Sequence, residues 1–332
     1  MVDGPAAESA EKLPVTAAIL LAAKYFVNAN ARSGRALTFA AATVNTRRPL
    51  RARCPKKIPA VAKIMPIPVV VSLTTLPSRI GKMQPCLDSL LAGEARPDKI
   101  FLSLPKISKR ENCAYERPAF LNGYGAAVEV IEAAHDFGPG TKVLGVLDRL
   151  PAACHLIAAD DDVRYQPHFL AGLLAAQRSD CASSFSYHTY RTGGLTVGQG
   201  CDGFSFYSPN LRGLADFYQA HVAGTDLFYH DDLWISFFLF ARGIAIRRVP
   251  LEKNAGPIYE IVHHTNALNQ LTGELARKKL NRRGLSRLLQ TVKLDAQKKR
   301  RLRAVAVYDH LITSPVRRLK RKAAQFQQAR RG

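Results

Sequence analysis

The middle of the chain alternates between apolar, strand-like runs and segments with helical spacing, and this alternation restricts the fold more than any other feature. Residues 67–73 are rich in β-branched side chains and predict a buried first strand. Residues 83–91 predict an amphipathic helix, because their large apolar side chains recur at helical spacing before Gly93. The pattern continues with strands at 100–104, 128–131 and 155–159 and helices at 141–149 and from 169. Repeated strand–helix–strand units predict an α/β fold with a largely parallel sheet.

After Ser179 the pattern changes to short alternating stretches at 183–190, 195–199 and 204–207, which glycines separate. We expect these stretches to be antiparallel strands that shape a pocket. Helices at 211–221 and 233–242 and a strand at 244–249 complete the predicted core.

The net charge of +22 is typical of a nucleic-acid-binding protein, but the charge lies in the two ends of the chain. Residues 1–63 carry 11 Lys/Arg against 3 Asp/Glu, and residues 253–332 carry 20 against 4. Residues 64–252 carry 17 against 19 and are close to neutral. Because mixed charge permits a packed core, we predict a working domain at 64–265, a basic N-terminal extension at 1–63 and a basic helical tail at 266–332.

The basic ends leave several interpretations open. The longest apolar run near the N-terminus, at 15–23, is too short to span a bilayer, so no transmembrane helix is predicted. Residues 1–63 are expected to be either disordered or a targeting segment. The tail fits solvated helices, an anionic membrane surface or, less well, nucleic acid. We therefore expect a cytoplasmic protein, peripheral on a membrane if its tail contacts lipid.

Six cysteines lie at positions 54, 86, 113, 154, 181 and 201, and none is within four residues of another. This spacing excludes a CxxC-type zinc or redox pair. An even number permits disulfides, but the separations are wide and the chain is long. Buried free thiols are therefore the favoured interpretation.

Three consecutive aspartates, Asp160, Asp161 and Asp162, follow directly on the predicted strand at 155–159. An uncompensated carboxylate at the end of a buried strand is costly, so such aspartates are usually paired or bind a cation. Side chains alternate along an extended chain, so Asp160 and Asp162 are expected on one side and Asp161 on the other. The first and third fit Mg²⁺ or Mn²⁺ at the strand end where open α/β sheets bind ligands. Surface acids that cap the next turn are the alternative.

A second acidic pair, Asp231 and Asp232, precedes the predicted apolar helix at 233–242. Either aspartate could simply cap that helix and complement its dipole. The functional interpretation is a general base, a carboxylate that takes the proton from an attacking hydroxyl group.

Five segments together resemble bacterial-type GT-A glycosyltransferases related to glycosyltransferase family 2: VVVSLTTLPSRI, PDKIFLSL, GPGTKVLGVL, LIAADDDVRYQP and HDDLWISFFLFARGI. The resemblance implies a GT-A fold, which is Rossmann-like, with a mostly parallel central sheet and helices on both faces. It also implies metal-assisted transfer of a sugar from a nucleotide-diphosphate-sugar donor to a hydroxyl of a glycan, lipid-linked or protein acceptor. The processive QxxRW signature is absent, since the only tryptophan is Trp234, so one transfer per encounter is expected.

The same resemblance assigns roles to individual residues. It assigns donor binding to Thr74, Thr75, Arg79, Lys142, Asp160 and Asp161, metal binding to Asp160, Asp162 and His263, and the base to Asp232 or Asp231, with Asp232 favoured. Three of these residues also have a non-functional interpretation: Arg79 as an ordinary charge at a helix start, Lys142 as a solvated lysine and His263 as a packed or exposed histidine. The stretch 198–203 would be an acceptor-side loop or an ordinary glycine turn.

Two other functions remain open from sequence alone. Acidic clusters with basic ends also fit a two-metal nuclease or nucleotidyltransferase, although the near-neutral middle lacks the basic and aromatic residues that nucleic acid would need there. The second alternative is a basic adaptor without catalytic activity that binds a membrane or nucleic acid. The intact aspartate clusters argue against it.

Overall fold

The computed structural model describes residues 66–251, 256–263, 265–266 and 274–309. The chain divides into two units, Met1–Lys63 and Ile64–Gly332, and all the described residues belong to the second. The predicted N-terminal extension and the last part of the predicted tail lie outside the described residues. The predicted division into a working domain and two extensions therefore stays a prediction.

The described part of the chain contains seven α-helices and thirteen strands. The helices are α1 (Gln84–Leu91), α2 (Thr141–Leu144), α3 (Phe169–Ser179), α4 (Leu214–His221), α5 (Asp231–Ala241), α6 (Glu274–Thr291) and α7 (Ala296–Tyr308). The strands are β1 (Val69–Leu73), β2 (Lys99–Pro105), β3 (Ile107–Ser108), β4 (Cys113–Ala114), β5 (Val128–Ala133), β6 (His155–Ala158), β7 (Val163–Tyr165), β8 (Ser184–Ser186), β9 (Thr189–Thr192), β10 (Leu195–Gly198), β11 (Phe204–Tyr207), β12 (Ile246–Arg248) and β13 (Tyr259–Ile261).

A seven-stranded sheet with the order β12-β8-β11-β6-β1-β2-β5 forms the centre of this unit. β1 pairs in parallel with both β2 and β6, β2 pairs in parallel with β5, and β12 pairs in parallel with β8. Within this sheet β11 runs antiparallel to its two neighbours, β6 and β8. The predicted α/β architecture with a largely parallel sheet is confirmed.

Two hydrophobic clusters cover the two faces of the sheet. Val70 of β1 belongs to the cluster that contains Phe237 of α5. Its neighbour Val71 belongs to the opposite cluster, with Leu87 of α1 and Leu170 of α3. Successive side chains of a strand point to opposite faces, and both faces are covered here. This double burial explains why β1 is apolar nearly throughout.

Three predicted elements differ from the observed ones. The helix predicted at 141–149 is wrong beyond Leu144, because a glycine follows and the chain continues into a separate 3₁₀ turn at Leu147–Arg149. The strand predicted at 183–190 is divided, since β8 joins the central sheet while β9 pairs with β10 in a separate hairpin. The helix predicted at 211–221 begins only at Leu214, because Gly213 has a left-handed conformation with φ of 82°.

The helices α6 and α7 pack on the same unit as the sheet. Gly284 of α6 allows a close approach, because a Cβ atom there would lie 2.5 Å from the Leu227 side chain. Leu285 and Leu288 of α6 and Leu302 of α7 are buried in the cluster that also contains α5 residues. Within the described ranges, no helix combines the length and the apolar content needed to cross a membrane.

The five cysteines of the described ranges are free thiols, as predicted. Cys86 and Cys154 are buried in the two hydrophobic clusters. The predicted burial is wrong for Cys113, which is exposed in β4, and for Cys181 and Cys201, which are partly exposed. These three lie at turns and on a two-residue strand rather than in the core.

Candidate active site

The three consecutive aspartates lie where the chain leaves the central sheet. β6 ends at Ala158, and the backbone bends at Asp161 and Asp162. The Asp160 backbone N–H donates a hydrogen bond of 2.9 Å to the Tyr165 hydroxyl, which holds this turn. The expected alternation of side chains is wrong, because the bend brings Asp161 and Asp162 to the same cation rather than to opposite sides.

That shared cation is Arg79, which follows the loop after β1. The Asp161 carboxylate accepts hydrogen bonds from the Arg79 guanidinium and from the Thr75 hydroxyl. The same guanidinium lies 2.7 Å from Asp162 Oδ2. Burial raises the pKa of Asp161 to about 6, although Arg79 acts in the opposite direction. Arg79 is therefore a buried partner of the acidic cluster, and the alternative of an ordinary helix-start charge is wrong.

Lys142 of α2 connects the two acidic clusters. Its ammonium group lies 2.7 Å from Asp160 Oδ1 and 3.3 Å from Asp231 Oδ2, and its side chain is only 6 % exposed. Burial disfavours its charged form, but Asp160, Asp231 and Asp232 together raise the pKa of Lys142 well above its ordinary value. Gly200 permits this arrangement, since a Cβ atom there would lie 2.6 Å from the ammonium nitrogen. The alternative of a solvated lysine is wrong.

The second acidic pair begins helix α5. The N-cap of this helix is His230, whose side chain makes no capping hydrogen bond, so neither aspartate occupies the cap position. Asp232 Oδ1 instead accepts a hydrogen bond of 2.9 Å from the Gly200 backbone N–H. Apart from the ion pair with Lys142, Asp231 Oδ2 is buried and accepts no hydrogen bond from the described residues. Both carboxylates lie in the first turn, where the helix dipole favours negative charge.

The negative charge of the site is only partly neutralised. Burial, with repulsion from Asp231, raises the pKa of Asp232 to about 8. Burial, with repulsion from Asp160, also raises the pKa of Asp162. Raised carboxyl pKa values show that the neighbouring cations do not compensate for desolvation and for the like charges.

This donor set fits a hard divalent cation. Asp160 and Asp162 are the more exposed acids of the first cluster, and both line the cavity between the two clusters. Mg²⁺ and Mn²⁺ suit carboxylate oxygens, and Mg²⁺ usually takes one or two of them together with water and substrate phosphates. In the described ranges, no group of three His, Cys, Asp or Glu side chains forms a larger ligand set. A cation at this position would therefore need additional oxygens from water or substrate.

The predicted late ligand His263 is not among the residues that line the cavity. It follows β13, which does reach the cavity through Tyr259 and Ile261. The neighbouring histidine at 264 lies outside the described residues. Metal binding by His263 stays a prediction.

The cavity has a volume of about 240 Å³ and lies at the edge where the parallel strands β1 and β6 end. Nearly all of the predicted site residues line it: Thr74, Thr75, Arg79, Lys142, Asp160, Asp161, Asp162, Asp231 and Asp232. The fold thus brings together two acidic clusters that are distant in sequence, at the strand ends where such sheets bind ligands.

Sequence reasoning missed several lining residues: Ser108, Arg110, Tyr115, Asp136, Tyr229 and Tyr259. A turn at Asp136 could have been predicted from the sequence, because an aspartate two residues before a glycine is typical of an Asx turn. Its Oδ1 accepts a hydrogen bond of 2.6 Å from the Gly138 N–H. Ser108, Arg110 and Tyr115 lie in an insert without hydrophobic periodicity, which offers no such signal.

Comparison with solved structures identifies the fold. The mannosyltransferase PcManGT from Pyrobaculum calidifontis, in complex with GDP-Man and Mn²⁺, is similar with a TM-score of 0.51 and 14% identity, over 74% of this chain and 71% of that chain. Glucosyl-3-phosphoglycerate synthase from Mycobacterium tuberculosis, in complex with UDP, gives a TM-score of 0.41 and 11% identity, over 69% and 82% of the two chains. No family model and no curated protein matches the chain. The chain has the GT-A fold, as its sequence segments predicted.

Proposed function

We propose that the chain is a glycosyltransferase that moves a sugar from a nucleotide-diphosphate-sugar donor to a hydroxyl group of an acceptor. The observation that carries the proposal is the meeting of the two acidic clusters around Lys142, in one cavity of a GT-A fold. The similar structure of PcManGT contains GDP-Man and Mn²⁺, which supports this class of donor. Because a fold alone does not define a function, the acidic site is the main support.

Asp160 and Asp162 would hold Mn²⁺ or Mg²⁺, and the ion would neutralise the charge that develops on the leaving diphosphate. Thr74 and Thr75 line the cavity on the loop after β1 and are the proposed donor-side contacts. Arg79 acts through the acidic cluster, since its guanidinium fixes the carboxylate of Asp161. A cluster held in place before substrate binds needs little reorganisation during the reaction.

The acceptor side of the proposal is the pair Asp231 and Asp232. Asp232 is the favoured base, because its carboxylate is anchored by Gly200 and its raised pKa makes the ionised form a stronger proton acceptor. In the transfer, the acceptor oxygen bonds to the anomeric carbon and its proton passes to Asp232. The bond from that carbon to the diphosphate oxygen breaks. The buried Oδ2 of Asp231 is ion-paired to Lys142 at 3.3 Å but accepts no hydrogen bond in the described ranges, so it is available to orient the acceptor hydroxyl.

We also propose that α6 and α7 contact an anionic membrane surface. Among the described side chains, ten Lys and Arg are exposed on and between these helices, and we call them the basic surface: Lys278, Lys279, Arg282, Arg283, Arg287, Lys293, Lys299, Arg300, Arg301 and Arg303. Asp295 and Asp309 of the same segment are ion-paired to Lys298 and Arg191. Each Lys or Arg near an anionic bilayer contributes about 1 kcal/mol, so this cluster exceeds what attachment requires.

The transfer reaction is tested with a panel of UDP-, GDP- and dTDP-sugars, by release of the nucleoside diphosphate with and without Mn²⁺. We expect Asp162→Asn to lower turnover at least about 100-fold with the fold retained, because an amide carries no charge to hold the cation. Asp232→Asn should lower turnover while donor affinity stays nearly unchanged. Asp148→Asn, at an exposed position outside the cavity lining, is the matched control.

Two results would contradict this scheme. Full turnover in Asp162→Asn would remove the metal role from that residue. Equal loss of donor affinity and turnover in Asp232→Asn would reassign that residue from base to donor binding. If the wild-type chain with Mn²⁺ turns over none of these donors, the glycosyltransferase proposal itself fails.

A further inference from the structure

Arg110 lies at the tip of the hairpin formed by β3 and β4, and it lines the cavity. The residues on both sides of it are tied to other parts of the site. The Lys109 N–H donates a hydrogen bond of 2.6 Å to Asp136 Oδ2. The Glu111 carboxylate accepts hydrogen bonds of 2.8 and 2.6 Å from the N–H and hydroxyl of Ser78. The hairpin tip is therefore fixed on both sides, and the backbone of Arg110 is held in position.

Arg110 differs from the other two cations of the cavity lining in its partners. Arg79 and Lys142 are each ion-paired to two aspartates. Within the described ranges, no carboxylate lies at ion-pair distance from Arg110, and its guanidinium donates a hydrogen bond to the backbone oxygen of Asn266. Arg110 thus brings to the cavity a positive charge that is in contact with no carboxylate of the described chain, although Glu111 and Asp161 act on it from a greater distance.

A half-buried guanidinium without a counterion is in an unfavourable state. Burial, together with repulsion from Arg79, lowers the pKa of Arg110, and the negative charges of Glu111 and Asp161 offset this only in part. Its planar group of donors matches the two oxygens of a phosphate or carboxylate. An anionic ligand would supply the counterion that the described chain does not provide.

We propose that Arg110 forms an oxyanion-binding subsite on the hairpin side of the cavity, separate from the two acidic clusters. Its ligand is a phosphate or carboxylate group of a substrate. The inference rests on the proposed function, because it concerns the substrates of the same site. Two sources supply this chemistry, the diphosphate of the donor and an acidic group on the acceptor.

The test is calorimetric titration of the full chain with two probes, in the presence of Mn²⁺. The first probe is a nucleoside diphosphate, UDP or GDP, and the second is inorganic phosphate, added both alone and after saturation with that nucleotide. Arg110→Gln removes the charge, and Arg110→Lys keeps the charge without the bidentate geometry. Lys106→Gln, exposed in the same loop region and outside the cavity lining, removes one charge as the matched control.

If the oxyanion belongs to the donor, Arg110→Gln weakens nucleotide binding at least about 10-fold. Arg110→Lys recovers part of this loss, because it keeps the charge. The control Lys106→Gln binds the nucleotide as the wild type does. If it belongs to the acceptor, nucleotide affinity is unchanged and phosphate binding to the nucleotide complex is lost only in the Arg110 variants. Unchanged affinity for both probes in Arg110→Gln overturns the subsite, as does a wild type that binds neither probe.

Failure of the proposed function has a different signature. A wild-type chain that binds inorganic phosphate through Arg110 but binds no nucleoside diphosphate would retain the subsite and reject the nucleotide-sugar donor. Circular dichroism of each variant verifies that the hairpin substitution leaves the fold intact.

Discussion

Replacing Lys142 by methionine is the most informative perturbation of this site. The substitution keeps much of the side-chain volume and removes the ammonium group that lies 2.7 Å from Asp160 and 3.3 Å from Asp231. Loss of one partner from a buried ion pair typically costs about 3–5 kcal/mol, because the remaining charges stay desolvated. At about 2–4 °C per kcal/mol for a domain of this size, the melting temperature should fall by about 6–20 °C.

The assay is thermal unfolding in EDTA at pH 8 and pH 5, followed by addition of Mn²⁺. The cost of Lys142→Met should be larger at pH 8, because the pKa of Asp232 is raised to about 8 and its protonation at pH 5 removes part of the repulsion that the lysine compensates. Added Mn²⁺ should stabilise the variant more than the wild type, since it supplies positive charge to the same acids.

The matched control is Lys99→Met. Lys99 forms a surface ion pair of 3.3 Å with Glu129, and such exposed pairs contribute about 0–1 kcal/mol. Its melting temperature should stay close to that of the wild type. A Lys142→Met protein that melts within about 2 °C of the wild type at pH 8 would refute the claim that this lysine neutralises both acidic clusters.

Two further predictions concern pH and lipid. The pKa values of Asp161 and Asp232 are raised to about 6 and about 8, so these two carboxyls bind more protons in the folded chain than in the unfolded chain between about pH 4 and pH 8. The free energy of unfolding of the metal-free chain should therefore decrease as pH rises through this range. In Asp232→Asn this decrease should be smaller, and an equal decrease would contradict the raised pKa of Asp232. In vesicle flotation, the chain should bind bilayers that contain phosphatidylglycerol and should not bind neutral bilayers. Charge reversal of Arg282 and Arg300 should weaken this binding. Charge reversal of the exposed Arg212, the control, should leave it unchanged. Binding to an RNA oligonucleotide but not to these vesicles would assign the basic surface to nucleic acid instead.

The sequence predicted the acidic half of the site because local rules apply to it. Asp160 to Asp162 end a buried strand, and Asp231 and Asp232 begin an apolar helix, so both clusters follow patterns that are visible within about ten residues. The parallel sheet then places strand ends at a common edge. The contact of Lys142 with both clusters was not predicted, because it depends on the distance between α2 and α5.

The hairpin that carries Arg110 could not be predicted for a related reason. β3 and β4 have two residues each, which is too short for an alternating pattern to be recognised. The position of their tip depends on side-chain contacts to Ser78 and Asp136, which are about thirty residues away in sequence. The position of Arg110 in the cavity therefore depends on tertiary contacts, whereas the positions of the two acidic clusters follow from local secondary structure and the parallel sheet.

The positive and negative charges of the chain lie in different places, which the net charge of +22 does not show. In the part of the chain that the structure describes, ten exposed cations lie on and between α6 and α7, whereas the cavity is lined by the two acidic clusters and three cations, Arg79, Arg110 and Lys142. Charge on an exposed surface acts on large anionic partners over about a Debye length, while charge in a buried cavity acts at contact distance on one ligand. The proposed membrane contact therefore depends on the basic surface, and the proposed substrate binding depends on the acidic cavity. A cation and an anion can be accommodated together in that cavity because its acidic clusters and Arg110 belong to separate structural elements.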